Sequence, residues 1–158
     1  MKKTFLLILI FLFSISKTFA CICTETNITL SKKVEKAFKE SDLIISGKVI
    51  DLLIVNTEKY RSSNDPIIYK FEITKTIKGK LEKEVIEIVS EASESRCGYE
   101  FILGKSYLVY ARKSTRFSSK TNNEFDFVTS LCDRNQNLKN VEKKEFRKLE
   151  KLNFKDEK

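Results

Sequence analysis

Four cysteines, Cys21, Cys23, Cys97 and Cys132, and no histidine bound the chemistry open to this chain. Without histidine there is no Ser-His-Asp triad, no Cys-His dyad and no zinc site built on imidazole. Cys21 and Cys23 are one residue apart, a spacing that a metal or redox pair can use only while the thiols stay reduced. An even number of cysteines behind an export signal favours two disulfides instead. A bond between Cys21 and Cys23 would close a small, strained ring, so the two pair separately with Cys97 and Cys132, in one order or the other. Each bridge closes a long loop and contributes about 2–5 kcal/mol. Together they fasten an N-terminus that in most domains frays. Glu82 and Glu84 are a candidate carboxylate pair, but nothing places them in a cleft, and they read as exposed charges at a strand edge. "IKGKLEK" lacks the spacing of a phosphate loop. The chain reads as a non-enzyme with no cofactor and no metal bound in isolation.

The export signal lies in residues 1–20. Lys2 and Lys3 precede an unbroken apolar run, Phe5 to Phe13, shorter than the roughly 20 residues a membrane span needs and of signal-peptide length. Thr18-Phe19-Ala20 puts small residues at −3 and −1 of a cut that makes Cys21 the first residue. An acylated lipoprotein start would want an aliphatic residue where Thr18 stands and a small one where Phe19 stands. The expectation is therefore a secreted, extracellular or periplasmic protein with a free Cys21 amine, rather than an envelope anchor. The formal charge is +8, but lysines alternate with glutamates in "KKVEKAFKE" and "VEKKEFRKLEKL", which reads as solvated helix faces rather than a nucleic-acid surface.

Five strands and two helices must position the cysteines. "LSKKVEKAFKESD" offers Ser31 as an N-cap, Val34, Ala37 and Phe38 on one face, and Ser41-Asp42 as a stop. "DLIISGKVIDLLIVN" reads as a long strand with Gly47 at a bend or bulge. "IIYKFEITKTIKG", "EKEVIEIVS", "KSYLVYARK" and "FDFVTSLC" supply four more. "STRFSSKTNNE" reads as a polar, mobile loop. Val141, Phe146, Leu149 and Leu152 mark a helix in the tail. A mainly β fold follows: a five-stranded, closed, OB-fold-like barrel with flanking helices and a disulfide-stapled N-terminus.

Cys-x-Cys at the mature start, a helix leading into "SDLIISGKV", then "YKFEITKTIKG", "ESRCGYEF" and a strand ending in "TSLC" resemble the N-terminal domain of the tissue inhibitors of metalloproteinases, in the netrin-like superfamily. The resemblance runs from Cys21 to about Cys132, and the export signal suggests a bacterial, secreted, single-domain member. It divides the chain into a signal peptide (1–20), the OB-like domain (21–134) and a charged helical tail (135–158). It implies disulfides Cys21–Cys97 and Cys23–Cys132. It also implies that the amine and carbonyl of Cys21 chelate the catalytic zinc of a protease in trans. Ile22 would then enter the primary specificity pocket, where the family usually carries a small or hydroxylated residue. Cys23 and Thr24 would continue the ridge, and Glu94, Ser95 and Arg96 would form its second half. The implied partner is a zinc metalloprotease, bound by a monomer with no nucleic acid and no transmembrane segment. The competing reading is a netrin-like binding module, secreted or envelope-anchored, in which the cysteines only staple the fold.

Overall fold

The computed structural model describes residues 21, 23, 28–56, 62, 65–93 and 97–156. Helix α1 (Leu30–Glu40) carries Val34 and Phe38 one turn apart, both buried. It starts two residues earlier than expected: Thr29 occupies the N-cap position without a side-chain cap bond, and Ser31 lies inside the first turn. At the other end Ser41 Oγ donates to the Ala37 carbonyl at 2.7 Å. Lys78 Nζ donates to the carbonyls of Phe38 and Ser41 at 2.8 Å each, satisfying acceptors that a helix end leaves open.

Strands β1 (Leu43–Ile54), β2 (Pro66–Lys78), β3 (Val85–Glu91), β4 (Ser106–Ser114) and β5 (Asp126–Val128) pair in the order β1–β2–β3–β5–β4, and β4 pairs back onto β1. A two-residue strand, β6 (Gln136–Asn137), adds to β4. The expected strand "FDFVTSLC" is thus only three residues long. Just beyond Val128, Thr129 N–H still donates to the Val89 carbonyl at 2.9 Å, while its hydroxyl turns onto the Tyr110 carbonyl at 2.7 Å. The β1–β2 ladder shifts register at Ser46/Gly47, where a Cβ on Gly47 would stand 2.7 Å from the Glu72 carbonyl oxygen.

Successive strand residues face opposite ways, and both faces are covered along the start of β1 and the middle of β4. Leu43, Ile45, Tyr107, Val109 and Ala111 point into the ring of strands. Ile44, Leu108 and Tyr110 point outward against the helices. This explains why the start of β1 reads as an uninterrupted apolar run. Inside the ring, Phe101 meets Tyr69, Phe71 and Tyr107 edge-on with ring centres 5.0–5.1 Å apart. The C-terminal segment adds a 3₁₀ turn (Leu138–Asn140) and a helix (Lys143–Asp156, called α3 below), whose Leu149 is fully buried in the outer cluster with Val34 and Phe38. The supposed polar loop after β4 holds a short helix, α2 (Ser118–Thr121). It is tethered by Phe117, which is buried with Ile68 and Val89.

Candidate functional site: the stapled N-terminus

β3 and β5 are parallel neighbours, so the loops that follow them leave the ring at the same end. One loop carries Cys97 and the other Cys132. The described residues on either side of the first loop are held by hydrogen bonds. The Ala92 amide donates to the Asp65 carbonyl at 2.9 Å, Gly98 N–H to the Ser93 carbonyl at 2.9 Å, and Tyr99 N–H to Ser90 Oγ at 2.7 Å. Gly98 lies hard against the end of β3: a Cβ there would be 2.1 Å from the Glu91 carbonyl oxygen. Cys97 itself has φ 66°, a left-handed conformation unfavourable for a residue with a side chain and imposed here by the surrounding contacts.

The second loop is a hydrogen-bonded knot. Asp133 Oδ2 accepts from Ser130 N–H at 2.7 Å and Ser130 Oγ at 2.8 Å, and its other oxygen faces Arg112 at 3.3 Å. Buried Asn135 donates to Thr129 Oγ1 and accepts from Tyr110 N–H. Leu131 N–H donates to the Cys97 carbonyl at 2.7 Å, which ties the two loops to each other.

Cys21 is bonded to Cys97 and Cys23 to Cys132, with Cα separations of 5.5 and 5.1 Å. Cys21 is therefore fastened to one loop and Cys23 to the other. The sulfurs of Cys21, Cys23 and Cys132 lie within 4.8 Å of one another, but all are spent in disulfides and offer no thiolate to a metal. Cys21 and Cys23 are half-buried and Cys132 is exposed. A groove of about 320 Å³ runs beside Cys23 and Cys132, lined among others by Lys33, Lys36, Asp133 and Arg134. Ile22, Thr24, Glu94, Ser95, Arg96 and the leader lie outside the described residues.

Two networks supporting this end escape a reading by motif. Asp65, buried where β2 begins, accepts from Lys120 Nζ at 2.7 Å, Ser62 N–H at 2.8 Å and Asn56 Nδ2 at 2.8 Å. These bonds, that from Lys120 first, lower its pKa to about 2. Glu145, in the first turn of α3 and 1 % exposed, accepts from Tyr110 Oη at 2.8 Å, Arg134 Nε at 2.9 Å and Nη2 at 2.8 Å, and Gln136 Nε2 at 3.0 Å. Burial, then the Glu145 charge, pushes the Tyr110 phenol well above its ordinary range. Burial opposes the charge on Arg134, and Glu145 more than offsets it, raising the guanidinium pKa. At the end of β3, buried Glu91 pairs with Arg116.

The result is a mainly β domain in which Cys21 and Cys23 are fastened by disulfides to the loops after two parallel strands. Residues 19–151 match the family model described as tissue inhibitor of metalloproteinase, and the chain belongs to that family. The match extends past Cys132 into α3. No curated protein sequence matches the chain. Among the described residues no helix is long and apolar enough to cross a membrane.

Proposed function

We propose that the chain is a secreted, monomeric inhibitor of zinc metalloproteases built on a closed, OB-like barrel, acting through the α-amine and carbonyl of Cys21 after removal of residues 1–20. The observation that carries this reading is the double staple, which holds Cys21 and Cys23 between two loops that are themselves bonded together. A catalytic zinc keeps one coordination position for water. An amine and a carbonyl on one residue displace that water as a chelate, and the sulfur takes no part because it is locked in a disulfide. An α-amine has an ordinary pKa of about 7.7–8.0, so its neutral form is available to zinc near neutral pH. Fixing the segment before docking lowers the ordering cost of binding. Ile22 fills the primary specificity pocket, where each methylene discriminates by about 1–3 kcal/mol. Thr24 and Glu94-Ser95-Arg96 flank it as the two halves of the wedge.

The test is titration of the exported protein, its first residue verified as Cys21, against a panel of zinc metalloproteases, beside a form with one Ala added ahead of Cys21. Inhibition by the first and not the second supports chelation. A correctly processed, doubly bridged protein that inhibits none of the panel supports the non-inhibitory binding module instead.

A further inference from the structure

We propose that the basic face of α3, with the groove it shares with the start of α1, docks the protein on an anionic phospholipid surface. This goes beyond inhibition and uses a different face of the molecule. Lys144, Lys148, Lys151 and Lys155 follow one another at helical spacing, and Arg147 stands beside them. The buried residues of the helix, Glu145 and Leu149, lie on another side.

One residue of the stripe, Lys148, has an acidic partner, Glu35, and Glu145 and Glu150 are engaged elsewhere. Glu145 is buried and held by Arg134. Glu150 is taken by Lys75 at 2.9 Å. Glu35 is shared between Lys148 at 3.2 Å and Lys39 at 3.5 Å. Lys144, Arg147 and Lys151 have no acidic partner among the described residues.

Between the cations lies a mainly apolar floor, half-buried Leu30 over buried Val34, with Ser31 beside them. Leu30 and Val34 join Lys144, Arg147, Lys148 and Lys151 around a groove of about 250 Å³. Phe154, 63 % exposed, adjoins Lys151 and Lys155 at the rim of a neighbouring groove. A single-stranded nucleic acid stacks successive bases on several aromatic rings, whereas this face carries one exposed ring, Phe154, beside the aliphatic Leu30. A phospholipid interface uses both: phosphates for the cations, and the headgroup–acyl boundary for the ring. Each Lys or Arg near an anionic leaflet strengthens partitioning about fivefold.

The experiment is vesicle co-sedimentation of the exported chain, leader removed. Vesicles of phosphatidylcholine alone are compared with vesicles holding about 30 % phosphatidylglycerol, at low and at about 0.15 M salt. The expected result is binding to the anionic vesicles only, weakened by salt. K144Q/R147Q/K151Q should bind on the order of 100-fold more weakly. Phe154→Ser should bind several-fold more weakly at unchanged charge. A control, K80Q/K83Q/K105Q, removes equal charge elsewhere and should bind as the parent does. Unchanged thermal midpoints establish that the variants are folded. Three results overturn the proposal: no binding to anionic vesicles, equal loss in the control variant, or binding to sulfated polysaccharide or nucleic acid but not to vesicles.

Discussion

Cys21 Sγ stands 4.0 Å from Cys132 Sγ, although each belongs to a different disulfide. The two bridges therefore act as one cluster, and a thiolate freed in one lies within reach of the other. In Cys97→Ala the Cys21 thiol attacks Cys132 and displaces the Cys23 thiolate, one thiol replacing another. Peptide mapping of that variant should find Cys21–Cys132 beside Cys23–Cys132. Cys23–Cys132 alone would show that the cluster is held too rigidly to exchange.

Removing both partners of one bridge avoids exchange and isolates its contribution to stability. The Cys23–Cys132 bond joins positions 109 apart in sequence. Cys23→Ala with Cys132→Ala should cost about 2–5 kcal/mol in denaturant unfolding. The remaining Cys21–Cys97 bond should survive, because Leu131 N–H and the Cys97 carbonyl still tie the two loops together.

Gly98 tests the packing behind Cys97. Its hydrogen stands where a methyl would be 2.1 Å from the Glu91 carbonyl and 2.9 Å from that of Ser93. Both are backbone atoms that cannot step aside singly. Gly98→Ala should lower stability by about 1–3 kcal/mol, read as a lower unfolding midpoint at unchanged denaturant slope. A neutral effect would mean that the loop repacks without strain.

Asp65 predicts a specific acid sensitivity. Its folded pKa is lowered to about 2 from 3.8, so its stabilisation is complete above the unfolded value and is lost as pH falls from about 4 towards 2. Thermal midpoints of the parent should drop more steeply across that window than those of Asp65→Asn. Parallel curves would show that the Lys120 contact is not maintained in solution.

These carboxylates also mark where sequence reading stops. The strands were legible because alternation in segments such as Tyr69, Phe71 and Ile73 is local, and α3 because Phe146, Leu149 and Leu152 repeat at helical spacing. Asp65 depends on Lys120, and Glu145 on Tyr110 and Arg134, pairings that only the folded chain brings together. The polar stretch after β4 looked unanchored because one aromatic residue, Phe117, gives little periodic signal yet buries completely enough to hold it. Of the candidate site, the presence of two bridges could be read from the count and spacing of the cysteines. That the loops carrying Cys97 and Cys132 lie at one end follows from the parallel pairing of β3 with β5, which no local pattern encodes.

The Tyr110–Glu145 pair predicts a decline in stability at alkaline pH. The phenol is raised by burial and then by the carboxylate it donates to, so the folded chain keeps a proton that the unfolded chain releases near pH 10. Stability from this group is complete below about pH 10 and declines above it. Tyr110→Phe keeps the ring in the outer cluster but removes one donor from a buried carboxylate still held by Arg134 and Gln136. It should cost about 1.5–3 kcal/mol near neutral pH, as expected for a hydrogen bond to a charged group. The variant should also lose part of the parent's decline above pH 10. A loss at neutral pH with an unchanged alkaline decline would assign that decline to other buried phenols, of which Tyr69 and Tyr99 are raised by burial as well.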